Sequence, residues 1–459
     1  MSSKQDPNAN ENFNKLIQLR QAAYQLLGKA KDAQFELCDA VIQAAQIHSL
    51  AELSCLPIFR RRWSSTYEAL QDGHPERMRL MGLYLSQLPE AGRLILAGDH
   101  TAWSRLWAAT TPERSYQHQP SPIPGRRPIT IGHGYSTLAV IPELEGSWAL
   151  PLLHERIAQQ KPVLQASQQL RTVCQALLMR AISLWDSEYS CAAFVKATAD
   201  IAVDKVIRLR TNLALEGPPK PYLGRGPRPK HGQKFKLRDP ATWWAPDQVL
   251  EVDDPDFGPT VVRLWQGLYF RQALDCPMLV AQIERQQAPG TRRKPRLLWL
   301  AWIGHTPVEQ WWRLYTRRYP LDHWYRFAKG RLHWTLPMLA SLAEAEHWSD
   351  LMPLITWQLW LARPVVEDFH LPWQKPQTRL SPGRVCQSWM SIMLEIGTPA
   401  QAPKRRGKSP GWPKGKLRQP RNRFELLRSA RWQTIRSRQK ANLELERPKQ
   451  GRPKRVSAS

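Results

Sequence analysis

The chain has 459 residues, enough for two to four domains of about 150 residues each, and 42% hydrophobic residues can supply a sizeable core. A formal net charge of +27 and a pI near 10.2 call for a polyanionic partner, nucleic acid before an anionic membrane, because no stretch offers about 18 uncharged apolar residues and Met1 to Asn14 has no signal-peptide core. Six cysteines (38, 55, 174, 191, 276, 386) form no Cys-x-x-Cys pair, which argues against a zinc ribbon or disulfide framework and for a reducing, cytoplasmic setting.

Residues 1–90 read as a helical N-terminal domain. Leu16, Leu19, Ala23 and Leu27 recur at helical spacing, and so do Leu37, Ala40, Val41 and Ala44. Arg60, Arg61 and Arg62 give this bundle a basic edge, open to a structural role or to binding DNA ends; no helix-turn-helix consensus stands out.

Residues 91–213 read as alternating strands and helices. Arg93 to Trp103 is an apolar run delivering Asp99 near the C-terminal end of a buried strand; a turn or helix-cap acid is the plainer alternative. Residues 136–142 and 147–153 are two further strands, and 162–178 is a helix. Met179 to Asp186 is again an apolar strand ending in an acid, followed by a helix (190–200) and a strand (205–210). This order resembles the ribonuclease H-like fold, in which the first and fourth strands are neighbours, so Asp99 and Asp186 would lie side by side. Two such carboxylates repel unless a cation stands between them, and hard oxygen donors suit Mg2+ or Mn2+.

Residues 214–303 interrupt that fold with a basic Pro/Gly loop (216–230) and strands at 249–252, 260–269, 279–283 and 296–303. The loop is open to two readings, a linker or a track for DNA phosphates. Residues 304–361 return to helices. Thr306-Pro-Val-Glu309 reads as a capping box, with Glu309 as its cap rather than a ligand, and 336–361 is a Trp-rich core helix. Residues 362–459 are Pro-rich and basic and are expected to be largely disordered; 401–459 hold 19 Lys and Arg against three Glu, so +16 of the +27 lies there. Gly451-Arg-Pro453 resembles the centre of a minor-groove AT-hook.

Tyr315 to Lys329 reads as two helical pieces joined at Pro320. Asp322 and Lys329, seven apart, fall within about 20° of one another on one face. A solvated pair between Asp322 and Arg326 is the plainer reading. The spacing Tyr315, Arg318, Asp322, Lys329 resembles the C-terminal signature of DDE-type transposases of cut-and-paste bacterial insertion sequences, with aspartate where that family usually has glutamate. Asp99 followed by Thr101 resembles the family's first acidic block. Asp186 followed by Tyr189 resembles the second, and Arg208 to Asn212 the strand after it.

The resemblance implies an α/β, ribonuclease H-like mixed sheet with a β-rich insertion, a helical N-terminal domain and a disordered basic tail. It implies metal-dependent cleavage and strand transfer of double-stranded DNA, with the element's inverted-repeat ends and the target as partners. Asp99, Asp186 and Asp322 would hold two Mg2+ (or Mn2+) ions, and Tyr315, Arg318, Lys329 and Arg210 would contact DNA. A homodimer handling both ends, a nucleoid-associated place in the cytoplasm and no membrane partner follow. A DNA-binding protein without catalysis, such as a decayed copy, is the alternative, and a nuclease acting on structured DNA is a third reading.

Overall fold

The computed structural model describes residues 7–427, apart from 90–91, 120–127, 159–160, 220, 223, 225–228, 255–257, 286–296, 306, 405–406, 408–410, 412 and 418. Much of the basic Pro/Gly loop, Thr306 of the expected capping box and the Gly451-Arg-Pro453 motif lie outside the described residues. The chain divides into two units, residues 1–101 with 134–417, and residues 102–133 with 418–459.

The first unit opens with helices, as the periodicity predicts: α1 Pro7–Gln25, α2 Lys31–Gln43, α3 Ser64–Asp72 and α4 Arg77–Leu85. Leu16, Leu19, Ala23 and Leu27 are all buried. Arg20 is buried at 1% exposure and makes a bidentate pair with Asp39 at 2.8 and 2.9 Å. It also donates to Gln358 and to the Gly397 carbonyl, so one guanidinium joins four segments. Two of the three arginines of the expected basic edge are tied down, and Arg62 is exposed. Arg60 and Arg61 both pair with the buried Glu36 and donate to carbonyls of Ala400 and Gln401.

The strands in chain order are β1 Ile95–Ser104, β2 Ser115–His118, β3 Ile129–Val140, β4 Leu150–Arg156, β5 Ile182–Trp185, β6 Asp204–Arg208, β7 Ala214–Glu216, β8 Lys234–Lys236, β9 Gln248–Asp254, β10 Gly258–Leu268, β11 Met278–Arg285 and β12 Leu298–Ile303. In the first unit the sheet order is β4-β3-β1-β5-β6-β12-β11-β10-β9. Strands β1, β5 and β6 are parallel neighbours, with β3 and β4 beyond β1, which is the ribonuclease H-like order. Helix α5, Pro162–Ala176, opens with proline in its first turn and leads to β5; α6, Ala192–Ala197, links β5 to β6.

Two expectations change here. The β-rich segment is not set apart from the fold: β12 pairs antiparallel with β6, and β11, β10 and β9 extend the same sheet as a meander. The apolar run around Asp99 does not stop at the acid. β1 continues through Trp103, and Asp99 is the fifth of its ten residues. A two-stranded ribbon of β7 and β8 stands beside the main sheet and buries Phe235 against Trp244 and Trp265.

After β12 the chain forms a 3-10 helix, Trp311–Arg318, then α7, Tyr319–Gly330, with Pro320 in its first turn. The expected helix start at Thr306 moves to Trp311, and Glu309 is exposed ahead of it. Helix α8 spans Leu342–Ala362 and is capped by Ser341, whose side chain accepts from the Glu344 backbone N–H. It is buried on all sides from Trp348 to Leu359, the pattern of a core helix. Trp348 and Trp357 fill the core with their indole N–H groups satisfied: Trp348 donates to the Trp334 carbonyl at 2.7 Å and Trp357 to the Pro151 carbonyl at 2.8 Å. The start of the expected disordered tail is ordered. Helices α9, Pro382–Ser388, and α10, Met390–Ile396, bury Val385, Trp389 and Ile392. Residues 428–459 lie outside the described residues. All six cysteines are unpaired, and no helix among the described residues is long and apolar enough to cross a membrane.

In the second unit β2 pairs antiparallel with the beginning of β3, from Ser115↔Gly132 to His118↔Ile129. Phe424 N–H donates to the Ala109 carbonyl and Leu427 N–H to that of Arg114, at 2.9 and 2.8 Å.

Removing Arg20 would leave Asp39 buried and unpaired. Arg20→Met is expected to lower unfolding stability by about 3–5 kcal/mol, and the double variant Arg20→Met/Asp39→Leu to recover most of it, read by denaturant unfolding.

Candidate active site

The register of β1 on β5 ends at Gly98↔Trp185, so the next residue on each strand is an aspartate, Asp99 and Asp186. The close approach there depends on Gly98: a Cβ at that position would meet the Trp185 ring at 2.1 Å. Trp185 in turn packs on Tyr189 and Phe194, with ring centroids 4.8 and 4.6 Å away, which fixes the chain as it turns out of β5.

Asp322 enters from the first turn of α7. One guanidinium connects it to the sheet. Arg318 Nη1 donates to Asp99 Oδ2 at 2.8 Å and Nη2 to Asp322 Oδ2 at 3.2 Å. The Tyr315 hydroxyl donates to Asp186 Oδ1 at 3.0 Å, and Arg208, the last residue of β6, lies 3.6 Å from the same oxygen. Lys329 Nζ donates to Thr101 Oγ1 at 2.7 Å. Between Asp322 and Lys329, Tyr325 donates its hydroxyl proton to the backbone carbonyl of Asp99 at 2.9 Å. Helix α7 is therefore held to β1 at three places along one face.

Burial sets the electrostatics. It raises the Asp99 carboxyl above its ordinary value, against the opposing charge of Arg318 and His100. At Asp186 burial works in the same direction but is outweighed by Arg318, the Ser187 backbone N–H, the Tyr315 hydroxyl and Arg208, so this carboxyl sits below its ordinary value. Arg318 is 7% exposed, and its burial is outweighed by Asp99, Tyr315, Asp322 and Asp186, which hold its proton more firmly than usual. Burial pushes Tyr315 up to about 12 and Lys329 down to about 8.

Six of the seven residues singled out in the sequence, Asp99, Asp186, Asp322, Tyr315, Arg318 and Lys329, converge on this place. Arg210 does not: it is exposed beyond the end of β6, and the base that reaches Asp186 is Arg208. Strand alternation marks Arg208, because Trp185 pairs with Ile207 and the residues that follow are Asp186 and Arg208. The base beside Asp322 is likewise Arg318, one turn earlier, and not Arg326. Tyr325, which the motif does not mark, carries a helical signal of its own, three residues after Asp322 on the same face.

Three carboxylates give an all-oxygen donor set of the kind hard divalent cations take. Among the described residues no three His, Cys, Asp or Glu side chains stand in ligand geometry. Arg318 explains the spacing, since its guanidinium supplies the positive charge between Asp99 and Asp322. The donor set fits a divalent cation in kind, provided that Arg318 gives up its carboxylates.

Residues 23–255 match the family described as DDE superfamily endonuclease. The matched span includes Asp99 and Asp186 and ends before Asp322. No curated protein matches the chain. Among solved structures, the chain is similar to the piggyBac transposase in a synaptic complex with hairpin DNA, at 10% identity over 84% of this chain and 78% of that one, with a TM-score of 0.37.

Replacing Arg318 with Gln would leave Asp99 and Asp322 facing one another without a counter-charge. The variant is expected to lose about 3–5 kcal/mol of stability in EDTA and to regain part of it with millimolar Mn2+, measured by denaturant unfolding with and without the ion.

Proposed function

The chain belongs to the DDE superfamily endonucleases, and on that premise we propose that it is a transposase that cleaves and joins DNA at the ends of an insertion sequence. The observation that carries the reading is the placement of Asp99 and Asp186 directly after the last paired residues of two adjoining parallel strands, with Asp322 joined to Asp99 by one guanidinium. Asp99, Asp186 and Asp322 would hold Mg2+ or Mn2+, two ions in all; when bound, the metal would activate water or a DNA 3′-hydroxyl and stabilise the leaving oxygen.

The protein's own groups would do the rest. Arg318 presents a planar fork suited to a phosphodiester, and a phosphate arriving there would draw it away from the carboxylates. Lys329 and Arg208 would add point charges along the backbone, and Tyr315, whose hydroxyl stays protonated because its pKa is about 12, would donate a hydrogen bond. The acids act by charge and position, not as general bases. The net charge of +27 supports a DNA partner contacted largely through phosphates. Two DNA ends handled together would call for a homodimer. A second reading, a DNA-binding protein without catalysis, is favoured by Arg318 standing among the acids and by aspartate at 322.

The test is cleavage of a duplex carrying the element's ends, with Mg2+ or Mn2+. Asp99→Ala and Asp186→Ala are expected to lower cleavage by at least about a hundredfold while leaving duplex binding within about twofold. Asp322→Ala should behave the same way. Cleavage by Asp322→Glu alone would identify a decayed third acid, and binding without cleavage by any form would favour the second reading.

Lys329 gives a separate readout. Its pKa of about 8 means that charge is lost as pH rises through that value, so duplex affinity should fall by up to about tenfold per pH unit above it. Lys329→Arg keeps its charge and should flatten that profile, measured by fluorescence anisotropy at constant ionic strength.

A further inference from the structure

The loop between α8 and α9 is tightly built, and the reading above leaves it unused. Residues 368–377 close on themselves. The Gln377 N–H donates to Asp368 Oδ2 at 2.8 Å. Within that closure Leu371 and Gln374 form a turn: the Gln374 N–H donates to the Leu371 carbonyl at 2.8 Å, and the Leu371 N–H to Gln374 Oε1 at 3.0 Å. Pro372 and Pro376 flank Trp373 and restrict the backbone further.

Helix α9 holds the loop at several points. Arg384, 7% exposed, donates to the Lys375 carbonyl at 3.3 Å and lies 3.2 Å from Asp368 Oδ1. Gln387 donates to the Phe369 carbonyl at 2.8 Å and to Gln374 Oε1 at 3.0 Å, while the Phe369 N–H donates to Ser388 Oγ at 2.9 Å.

What this polar framework presents to solvent is aromatic. Phe369 is 60% and Trp373 78% exposed, whereas Trp348, Trp357 and Trp389 of the adjoining helices are buried. A single exposed apolar residue is ordinary on a protein surface. A tryptophan on a loop fixed in advance is different, because a ligand that meets it has little loop entropy to overcome.

Charge says what kind of ligand that is. Between Asp368 and Glu395 the sequence has no acid, and it has Lys375, Arg379 and Arg384. Arg384 is matched by Asp368, which leaves Lys375 and Arg379, both exposed, on the same side of the chain as positive charge without an acid between them. A second copy of this chain, meeting the loop with its own, would bring like charge to like. A polyanion with flat apolar faces suits both features: the ring stacks on a base and the two cations take phosphates. Inside a duplex each base already has both faces covered by its neighbours, so the ring calls for nucleotides outside the helical stack.

We propose that residues 368–379 form a binding site for single-stranded DNA, with Trp373 as the stacking platform and Lys375 and Arg379 as its phosphate contacts. The site goes beyond the cleavage reading: it needs a DNA partner and none of the three acids.

The experiment is fluorescence anisotropy of the full chain with two labelled strands of about 20 nucleotides, one of thymidines and one of abasic sites, which keeps the phosphates and removes the bases. The proteins are the wild type, Trp373→Ala, Trp373→Phe and Lys375→Gln/Arg379→Gln. The wild type should prefer the thymidine strand by about five- to a hundredfold. Trp373→Ala should lose most of that preference with an unchanged salt dependence and a wild-type melting temperature, and Trp373→Phe should keep part of it. The double variant should weaken both strands and lower the slope of log affinity against log salt by about 0.7 for each phosphate contact removed. A wild-type preference in Trp373→Ala would overturn the site, and an unchanged salt slope in the double variant would overturn its phosphate contacts. A melting temperature lowered in Trp373→Ala would assign the ring to packing within the chain. A wild-type dimer that sediments as a monomer in Trp373→Ala would assign the face to a second copy. Each of these results leaves the cleavage reading standing if the wild type cuts DNA. Base preference carried by Trp373 in a protein that cuts no DNA would keep the site and remove the cleavage reading.

Discussion

Like charge at close range is the constraint on which this structure turns. Asp99 and Asp186 follow the last paired residues of two adjoining parallel strands, and Asp322 is brought to them from a helix. Water alone cannot screen them, because Asp99 keeps only 17% of its side chain exposed. Arg318 answers the charge with two of its nitrogens. The local sequence serves that contact: Gly98 admits the Trp185 ring, and the 3-10 helix ending at Arg318 delivers the guanidinium one turn before Asp322.

Precision of this kind needs a rigid support, and α8 provides it. Trp324 of α7 donates its indole N–H to Thr356 of α8 at 2.9 Å, and Trp357 of α8 donates to the Pro151 carbonyl of β4. The helix bearing the third acid is thus fixed from behind to the sheet that bears the other two. Along its front, Tyr325 and Lys329 reach Asp99 and Thr101 of β1. A helix held on both sides cannot slide to bring Asp322 nearer the acids, so any change in their spacing must come from side chains, above all Arg318.

Local pattern made the core of this architecture legible. Helical spacing marked α1, α2, α5 and α8, and two apolar runs each carrying an acid marked β1 and β5. What escaped was non-local. β9 to β12 read as strands, yet nothing in their sequence says that β12 pairs with β6 and that they lengthen the main sheet. A carboxylate after an apolar run reads as a strand end, but His100 to Ser104 continue β1 because Ala102 and Trp103 return to the core. The ordered start of the tail was hidden by its prolines, since a few residues such as Val385 and Trp389 suffice to dock two short helices. Motif position points to Arg210, whereas the alternation of the strand places Arg208 beside Asp186.

The charges at the site count in a way that links DNA and metal. Three carboxylates, Asp99, Asp186 and Asp322, stand against three bases, Arg318, Arg208 and Lys329, so the free protein is close to local neutrality. A phosphodiester added to that set brings unmatched negative charge and competes for Arg318, which leaves Asp99 and Asp322 without their counter-ion. On the proposed reading divalent cations would restore the balance on the carboxylates and leave the three bases to the phosphates. On the proposed reading neither ligand is well accommodated alone, and each raises the affinity for the other by the same factor. Aspartate at 322 fits this arrangement. Its carboxylate accepts from Arg318, four residues earlier on the same turn, at 3.2 Å, so in the free protein the third carboxylate is already matched by a base.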